Sequence, residues 1–199
     1  RLGSVNTVLR RADGSLFGDN TDYAGFAWLL RRAGFCPAGW KCLVLGSGGA
    51  SVTIRAVLAD QGAAEVVTVS RSGPDNYTNL SRHADARLIV NTTPVGMYPK
   101  NETCPVHLED YPELTGVVDV VYNPLRTNLV LQARSRGIPA EGGLYMLAAQ
   151  AAYASALFRG CETSQRDIDL AYQTVRREME NIVLIGMPSS GKSTVGRAL

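Results

Sequence analysis

The chain has 199 residues, of which 45% are hydrophobic and 19% charged, and its formal net charge is +2. So many hydrophobic side chains exclude an intrinsically disordered protein, because a core can form. No apolar run approaches the roughly 20 residues that cross a bilayer, and the first residues do not resemble a signal peptide. We therefore expect a soluble cytoplasmic protein that binds no membrane, and the small net charge gives no reason to expect a nucleic acid as partner.

The cysteines and histidines show no metal-binding or disulfide pattern. The four cysteines are scattered without a C-x-x-C pair, at Cys36, Cys42, Cys104 and Cys161. This spacing favours free thiols in a reducing compartment over a zinc site or a disulfide framework. Cys42 begins an apolar run and is predicted to be a core residue. His83 and His107 are both predicted to lie on the surface, one in a polar helical stretch and one in a loop.

Helices and short apolar strands alternate along most of the chain. The first helix is predicted over residues 20–34, with Asn20 or Thr21 as its cap and Gly34 at its end. Strands are predicted at residues 42–45, 65–70, 88–90 and 116–122, and further helices at about residues 50–61, 128–136, 145–158 and 165–180. This alternation predicts an α/β fold in which helices cover both faces of a parallel sheet.

A glycine-rich loop follows the first predicted parallel strand and leads into a helix. It consists of Gly46, Ser47, Gly48, Gly49, Ala50 and Ser51. Glycines at this place allow a tight turn and a close approach to a pyrophosphate, whose charge is held at the start of the helix. The spacing is close to the G-x-G-x-x-G pattern of Rossmann-type dinucleotide-binding domains, with Ser51 at the third glycine position. The alternative is a tight turn without a ligand.

The residues after the second parallel strand indicate which dinucleotide would bind. An NAD site usually has an acid there, which accepts a hydrogen bond from the ribose 2′-hydroxyl. Here the residues are Ser70, Arg71 and Ser72, so an acid is absent, and Arg71 offers planar donors suited to a 2′-phosphate. We therefore expect NADP as the cofactor; the alternative is that Arg71 is a solvated residue in a turn.

Six segments together point to one family. They are GSVNT, GDNTD, LGSGGAS, NTTPVGM, DVVYNPLRT and GLYMLAAQAA, at residues 3–7, 18–22, 45–51, 91–97, 119–127 and 143–152. In this order they resemble the shikimate dehydrogenases. The resemblance implies that residues 1–22 end a substrate-binding domain and that residues 23–180 form an NADP-binding Rossmann domain with C-terminal helices. The implied reaction is the NADP-dependent reduction of 3-dehydroshikimate to shikimate, in aromatic amino acid biosynthesis.

The resemblance also implies which residues bind the substrate. Asn6, Asp22, Tyr122 and Gln150 match positions that contact its polar groups. Asp22 is also expected to be catalytic, because it would hold the ammonium group of the family's catalytic lysine. Without the resemblance, Asp22 is equally well explained as a helix-cap carboxylate, and Tyr122 as a half-buried aromatic residue.

Cofactor contacts are implied along much of the chain. The positions are Gly46, Ser47, Gly48, Gly49, Ala50, Ser70, Arg71, Ser72, Thr93, Val120, Gly143 and Met146. Val120, Gly143 and Met146 match positions near the nicotinamide ring, and Thr92 and Thr93 would flank the cofactor. Alternatively, Gly143 only permits a close approach or a positive φ.

One departure from the family pattern concerns the catalytic lysine, which precedes the VNT segment in the family. The chain contains only Lys41, Lys100 and Lys192, and each lies after that segment. A positioned acid or base contributes about 10²–10⁴ to a rate. We therefore expect the 199-residue chain, on its own, to have little or no dehydrogenase activity.

After residue 180 the pattern restarts, with a strand predicted at residues 182–185 and a helix at residues 194–199. Between them, GMPSSGKS fits G-x-x-x-x-G-K-[ST], a loop that surrounds phosphates with backbone N–H groups. This segment resembles the start of a shikimate kinase. The resemblance implies Mg²⁺ binding by Ser193 and ATP contacts at Gly186, Gly191, Lys192, Ser193 and Thr194.

Residues 181–199 are therefore expected to begin an incomplete P-loop kinase domain, and the chain to be an internal piece of a bifunctional dehydrogenase–kinase. Kinase activity is not expected from so short a segment, because one βαβ unit needs about 30 residues. One alternative is a quinate/shikimate dehydrogenase. Another is a P-loop phosphotransferase with a regulatory NADP-binding module, and a third is a scaffold whose glycine loops are structural. A homodimer is among the assembly states that the sequence leaves open.

Overall fold

The computed structural model describes residues 3–180 and 183–198. Its strands are β1 (Thr7–Arg10), β2 (Leu16–Asp19), β3 (Lys41–Leu45), β4 (Glu65–Val69), β5 (Leu88–Asn91), β6 (Gly116–Asp119) and β7 (Ala140–Gly142). Its α-helices are α1 (Thr21–Ala33), α2 (Gly49–Asp60), α3 (Asn128–Ser135), α4 (Leu144–Arg159), α5 (Gln165–Met179) and α6 (Lys192–Ala198). Short 3₁₀ turns cover Leu80–His83 and Leu108–Asp110.

A parallel sheet with the strand order β4-β3-β5-β6-β7 forms the centre of the fold. Successive residues of β3 face opposite sides of this sheet. Cys42 and Val44 belong to an apolar cluster with residues of α1, α2 and α4, whereas Leu43 and Leu45 belong to a second cluster with residues of α3. Helices therefore cover both faces, which confirms the predicted α/β class and the core position of Cys42.

Helix α1 has the ends that the sequence predicts. The side chain of Asn20 caps it by accepting a hydrogen bond from the backbone N–H of Asp22, and Gly34 ends it with a φ of 72°. Midway along the helix, Gly25 faces α4. A β-carbon on Gly25 would lie 2.8 Å from the backbone oxygen of Met146, so the two helices approach more closely than any side chain would allow.

The sequence did not predict two small β elements. Strands β1 and β2 form a two-stranded antiparallel sheet, and β7 adds a three-residue edge strand to the central sheet. Two predicted strands are also shorter than expected. The strand predicted to reach residue 70 ends at Val69, because Ser70 donates its N–H to the backbone oxygen of Asp75 (3.0 Å). The strand predicted to reach residue 122 ends at Asp119.

The prediction that His83 lies on the surface was wrong. Only 7% of this residue is exposed, and its Nε2 lies 2.9 Å from Oδ1 of Asp75. The residues around His83 are polar and predict an exposed position, but the residue lies in a 3₁₀ turn that directs its ring inward. His107, by contrast, is exposed as predicted.

The strand predicted at residues 182–185 is also corrected by the structure. Residues 183–185 have no strand conformation, and residue 182 lies outside the described residues. Val183 and Ile185 are 76% and 92% exposed, and neither belongs to the sheets found among the described residues. An extended segment without a hydrogen-bonded neighbour does not form a β-strand. The following helix starts at Lys192 rather than residue 194, and its predicted last residue, 199, is not described.

None of the helices in the described residues combines the length and the apolarity that crossing a bilayer requires.

Gly25→Ala tests the close approach of α1 and α4. Alanine favours a helix over glycine by about 1 kcal/mol, but here its β-carbon would meet the Met146 backbone oxygen. We expect a net loss of about 1–3 kcal/mol in the free energy of unfolding, measured by urea denaturation. Gly49→Ala is the matched control, because it adds the same atom to a helix where no described atom lies within 4 Å. Equal stability of the two variants would contradict the packing argument.

Candidate functional site

Two adjoining cavities lie at the carboxyl ends of the parallel strands. The larger, of about 720 Å³, lies beside the ends of β3, β4 and β5, and the smaller, of about 360 Å³, beside the ends of β5 and β6. They share Thr92, Thr93 and Pro94, which follow β5 directly, and we call the two cavities together the cleft. The chain places β4 on one side of β3 and β5 on the other. Open α/β sheets bind ligands at such a switch in strand order.

The glycine loop forms one wall of the larger cavity. Gly46 has a φ of 109°, and a β-carbon there would lie 2.6 Å from Oγ1 of Thr92, so the fold itself requires this glycine. Gly48 and Gly49 differ, because no described atom lies within 4 Å of a β-carbon at either position. Gly48 caps α2 without a side-chain hydrogen bond. The first N–H groups of α2 therefore remain available to an anion.

The predicted NADP contacts divide between the cleft and its surroundings. Those that line the larger cavity are Gly46, Ser47, Gly48, Ser70, Arg71 and Thr93. Thr93 and Val120 line the smaller cavity. The predicted contacts that line neither cavity are Gly49, Ala50, Ser72, Gly143 and Met146.

The side of the larger cavity next to β4 is cationic. Arg71 is exposed there beside Ser70, and no aspartate or glutamate is among the described residues that line the cavity. A phosphate group would therefore meet a guanidinium group and no opposing carboxylate on this side of the cleft. This arrangement agrees with the preference for a 2′-phosphate that the sequence predicts for Arg71.

Gly143 and Met146 line neither cavity, but Gly143 lies against Val120, which lines the smaller one. The φ of Gly143 is −71°, which excludes the positive-φ explanation for this glycine. A β-carbon there would overlap the backbone oxygen of Val120, so glycine permits a close approach between the start of α4 and the loop after β6. Met146 is 7% exposed and packs in the core between α4 and the sheet.

Asn6 and Asp22, two of the predicted substrate residues, lie together at the start of α1. Oδ1 of Asn6 accepts hydrogen bonds from the N–H (2.9 Å) and the Oγ1 (3.2 Å) of Thr21. Burial raises the pKa of Asp22, and a hydrogen bond from the Asn6 side chain partly opposes this shift. Asn20, rather than Asp22, supplies the side-chain cap of α1, and Asp22 lies in the first turn of the helix.

The other two predicted substrate residues lie on different elements. Gln150 is half-buried on α4, where its backbone N–H lies within 3.3 Å of a β-carbon built on Gly25. Tyr122 follows β6, lines the smaller cavity and is 44% exposed. Tyr122 therefore lies beyond the carboxyl end of β6, at the edge of the sheet where open α/β sheets bind ligands.

A buried carboxylate that the sequence reasoning did not single out connects the loops of the cleft. Asp119 is fully buried at the end of β6 and accepts hydrogen bonds from Thr127 Oγ1 (2.6 Å), Asn91 Nδ2 (3.0 Å) and Val121 N (3.1 Å). Asn91 in turn accepts hydrogen bonds from the N–H (3.0 Å) and Oγ1 (2.6 Å) of Thr93. The sequence offered one signal for a buried carboxylate at this position, which is the acid inside the apolar run GVVDVVY.

The glycine-containing segment GMPSSGKS at residues 186–193, which we call the second glycine loop, encloses a lysine ammonium group. Nζ of Lys192 donates hydrogen bonds to the backbone oxygens of Gly186 and Met187, each at 2.7 Å. Ser189 and Gly191 have φ values of 67° and 80°. These left-handed residues curve the loop around the ammonium group before α6 begins.

Known proteins resemble this chain over most of its length. A shikimate dehydrogenase (NADP(+)) from Clostridium perfringens (strain 13 / Type A) is 32% identical over 188 residues, which are 88% of this chain and 69% of that protein. The chain belongs to the shikimate dehydrogenase family. No model in a scan of protein families matches it.

Solved structures of the shikimate dehydrogenase family share the fold. A chorismate mutase/shikimate 5-dehydrogenase fusion protein from Clostridium acetobutylicum has a TM-score of 0.84 and 31% identity, over 90% of this chain and 70% of that chain. Shikimate 5-dehydrogenase from Thermus thermophilus, in complex with NADP(H) and shikimate, has a TM-score of 0.74 and 35% identity. The matched part is 87% of this chain and 69% of that chain.

The structure describes all three lysines of this member of the shikimate dehydrogenase family. None of them lines the cleft. Lys41 begins β3, at the end of the strand opposite the cleft, and its Nζ forms ion pairs with Asp85 (2.9 Å) and Glu65 (3.3 Å). Lys100 is exposed, and Lys192 is held in the second glycine loop.

The buried carboxylate of Asp119 makes stability depend on pH. Burial raises the pKa of Asp119 from 3.8 to about 6, so the folded state holds this proton more tightly than the unfolded state. The contribution of Asp119 to stability therefore falls as the pH rises through that interval. We expect the unfolding free energy of the wild type, relative to Asp119→Asn, to decrease by up to about 3 kcal/mol between pH 4 and pH 7.

Denaturant titrations of both proteins at several pH values measure this difference. Asp110→Asn is the matched control, because it removes a carboxylate that is exposed to solvent. Parallel stability curves for the wild type and Asp119→Asn would contradict the role given to burial.

Proposed function

We propose that this chain supplies the NADP-binding part of a shikimate dehydrogenase, which reduces the ring carbonyl of 3-dehydroshikimate to the hydroxyl of shikimate with NADPH. The observation that carries the proposal is the cleft, where the glycine loop and Arg71 line one cavity and Val120 and Tyr122 line the next. The relatives described above support the choice of cofactor and substrate, because one of them was solved with NADP(H) and shikimate.

The larger cavity suits the half of NADP that carries its phosphates. The free N–H groups at the start of α2 would hold the pyrophosphate, and the open space beside Gly48 and Gly49 lets it approach the backbone. Arg71 and Ser70 would bind the 2′-phosphate. When bound, the nicotinamide supplies the hydride for the reaction. The protein's part is to orient the ring against Val120 and the start of α4.

Polar residues at the start of α1 and on α4 would bind the substrate. Asn6 combines a donor and an acceptor in one amide, and Asp22 can accept a hydrogen bond from a substrate hydroxyl. Tyr122 and Gln150 complete the proposed set. We further propose that the Asp22 carboxylate holds the ammonium group of the catalytic lysine. Its partial burial would strengthen that ion pair.

The domain assignment is part of the same proposal. Residues 1–22 end a substrate-binding domain, residues 23–180 form the NADP-binding domain, and residues 181–199 begin a P-loop kinase domain.

Within the proposed kinase segment, the ATP contacts would be Gly186, Gly191, Lys192, Ser193 and Thr194, and Ser193 would bind Mg²⁺. The curved loop around the Lys192 ammonium supports a phosphate-binding role. A shikimate kinase would consume the product of the dehydrogenase, which makes a bifunctional protein chemically coherent.

Arg71→Asp tests the choice of cofactor. An aspartate would remove the donors for the 2′-phosphate and repel its charge, so NADPH affinity should fall by at least about tenfold. NADH lacks this phosphate, and its affinity should change little. Isothermal titration calorimetry of each protein with NADPH and NADH measures both effects. Arg126→Asp is the matched control, because Arg126 is exposed and lines neither cavity. Equal losses for NADPH and NADH would overturn the assignment.

The position of the lysines predicts slow turnover by these 199 residues alone. Without a positioned acid and base, the rate with shikimate and NADP⁺ should be about 10²–10⁴ lower than that of a shikimate dehydrogenase that has its lysine. The absorbance of NADPH at saturating substrate measures this rate. Fast turnover would show that a different residue carries the proton, and Asp22→Asn would then identify whether Asp22 does so.

A further inference from the structure

Tyr77 lines the larger cavity together with Arg71 and Ser70. The family resemblance of the sequence did not imply that Tyr77 contacts the cofactor. It lies on the loop between β4 and β5. The half-buried ring packs against the apolar cluster that includes Leu43 and Leu45 of the central sheet. This packing fixes the ring in the wall of the cavity, so its position does not depend on a ligand.

Hydrogen bonds within the loop hold it in place. The backbone oxygen of Asp75 accepts a hydrogen bond from Ser70 N (3.0 Å). The side-chain Oδ1 of Asp75 lies 2.9 Å from Nε2 of the buried His83. Oδ1 of Asn79 accepts from the N–H of Asn76 at 2.8 Å, and Nδ2 of Asn79 donates to a loop carbonyl at 2.9 Å. The residues on either side of Tyr77 are therefore anchored to β4 and to the 3₁₀ turn that follows.

The hydroxyl group of Tyr77 makes no hydrogen bond to any residue within 3–180 or 183–198. Burial raises the pKa of Tyr77, whereas the nearby Arg71 guanidinium lowers it, and the first effect is the larger. The hydroxyl therefore keeps its proton at neutral pH and can donate it in a hydrogen bond. A half-buried donor that lines the same cavity as a guanidinium group is well placed for an anionic ligand, because phosphate oxygens accept hydrogen bonds from both groups.

We propose that Tyr77 determines cofactor specificity by donating a hydrogen bond from its hydroxyl to the 2′-phosphate of NADP, beside Arg71. This inference rests on the proposed function, because it requires that NADP binds in the larger cavity. Arg71 supplies a charge from an exposed position, whereas Tyr77 supplies one donor from a ring that packs against the core. The pair would distinguish a phosphate from a hydroxyl more sharply than Arg71 alone.

Tyr77→Phe isolates the hydroxyl, because phenylalanine keeps the ring and its packing. We expect NADPH affinity to fall by about tenfold, with no change in NADH affinity, since a hydrogen bond to a charged group is lost only with NADPH. Adenosine 2′,5′-bisphosphate and adenosine 5′-monophosphate are used as smaller probes of the same cavity. The first should lose the same factor as NADPH, and the second should lose nothing.

Tyr153→Phe is the matched control, because it removes the same atom from a helix residue that lines neither cavity. Tyr77→Ala is the second variant, and a melting curve shows that each protein is folded. If Tyr77→Phe binds NADPH as the wild type does, while Tyr77→Ala loses NADPH and NADH equally, the ring only packs against the adenosine and the inference is wrong. If the folded wild type binds neither NADPH nor adenosine 2′,5′-bisphosphate, both this inference and the proposed cofactor are wrong.

Discussion

Burial of the Asp119 carboxylate is the constraint on which the cleft depends. A charge that leaves water costs several kcal/mol unless hydrogen bonds offset the loss. Here the three donors come from the end of β5 and from the loop after β6, which are the segments that shape the smaller cavity. Because all three must stay within reach of one carboxylate, these segments cannot move independently. Through Asn91 the same network reaches Thr93, which both cavities share.

The glycines around the cleft have two different physical explanations. Gly46 and Gly143 are required by the fold, since a β-carbon at either position would meet the chain that packs against it. Gly48 has neither a positive φ nor a close neighbour among the residues that the structure describes. Glycine is a favoured residue at a helix N-cap, and the open space at Gly48 also leaves room for the ligand that the proposed function requires. The structure thus separates glycines that packing requires from one that packing does not require.

Charge is arranged locally rather than over the whole molecule. The net charge of +2 attracts no particular ligand, but the larger cavity combines Arg71, free helix N–H groups and a tyrosine hydroxyl that has no partner in the described part of the chain. Asn6 and Asp22 form a separate polar pair at the start of α1. The proposed function would use these two places separately, because a dinucleotide and a polyhydroxy acid need different chemistry.

Features that depend on neighbouring residues were predictable from the sequence. The cap and end of α1 follow from Asn20 and Gly34, and the first glycine loop follows from its own spacing. Features that depend on distant residues were not predictable. Residues 183–185 have strand-like composition but no pairing partner among the described residues, and β7 is a strand because β6 lies beside it. His83 and Asp119 look like ordinary polar residues until folding buries them. In these cases the pairing or burial arises from contacts between segments far apart in the chain, so the neighbouring residues in the sequence do not indicate it.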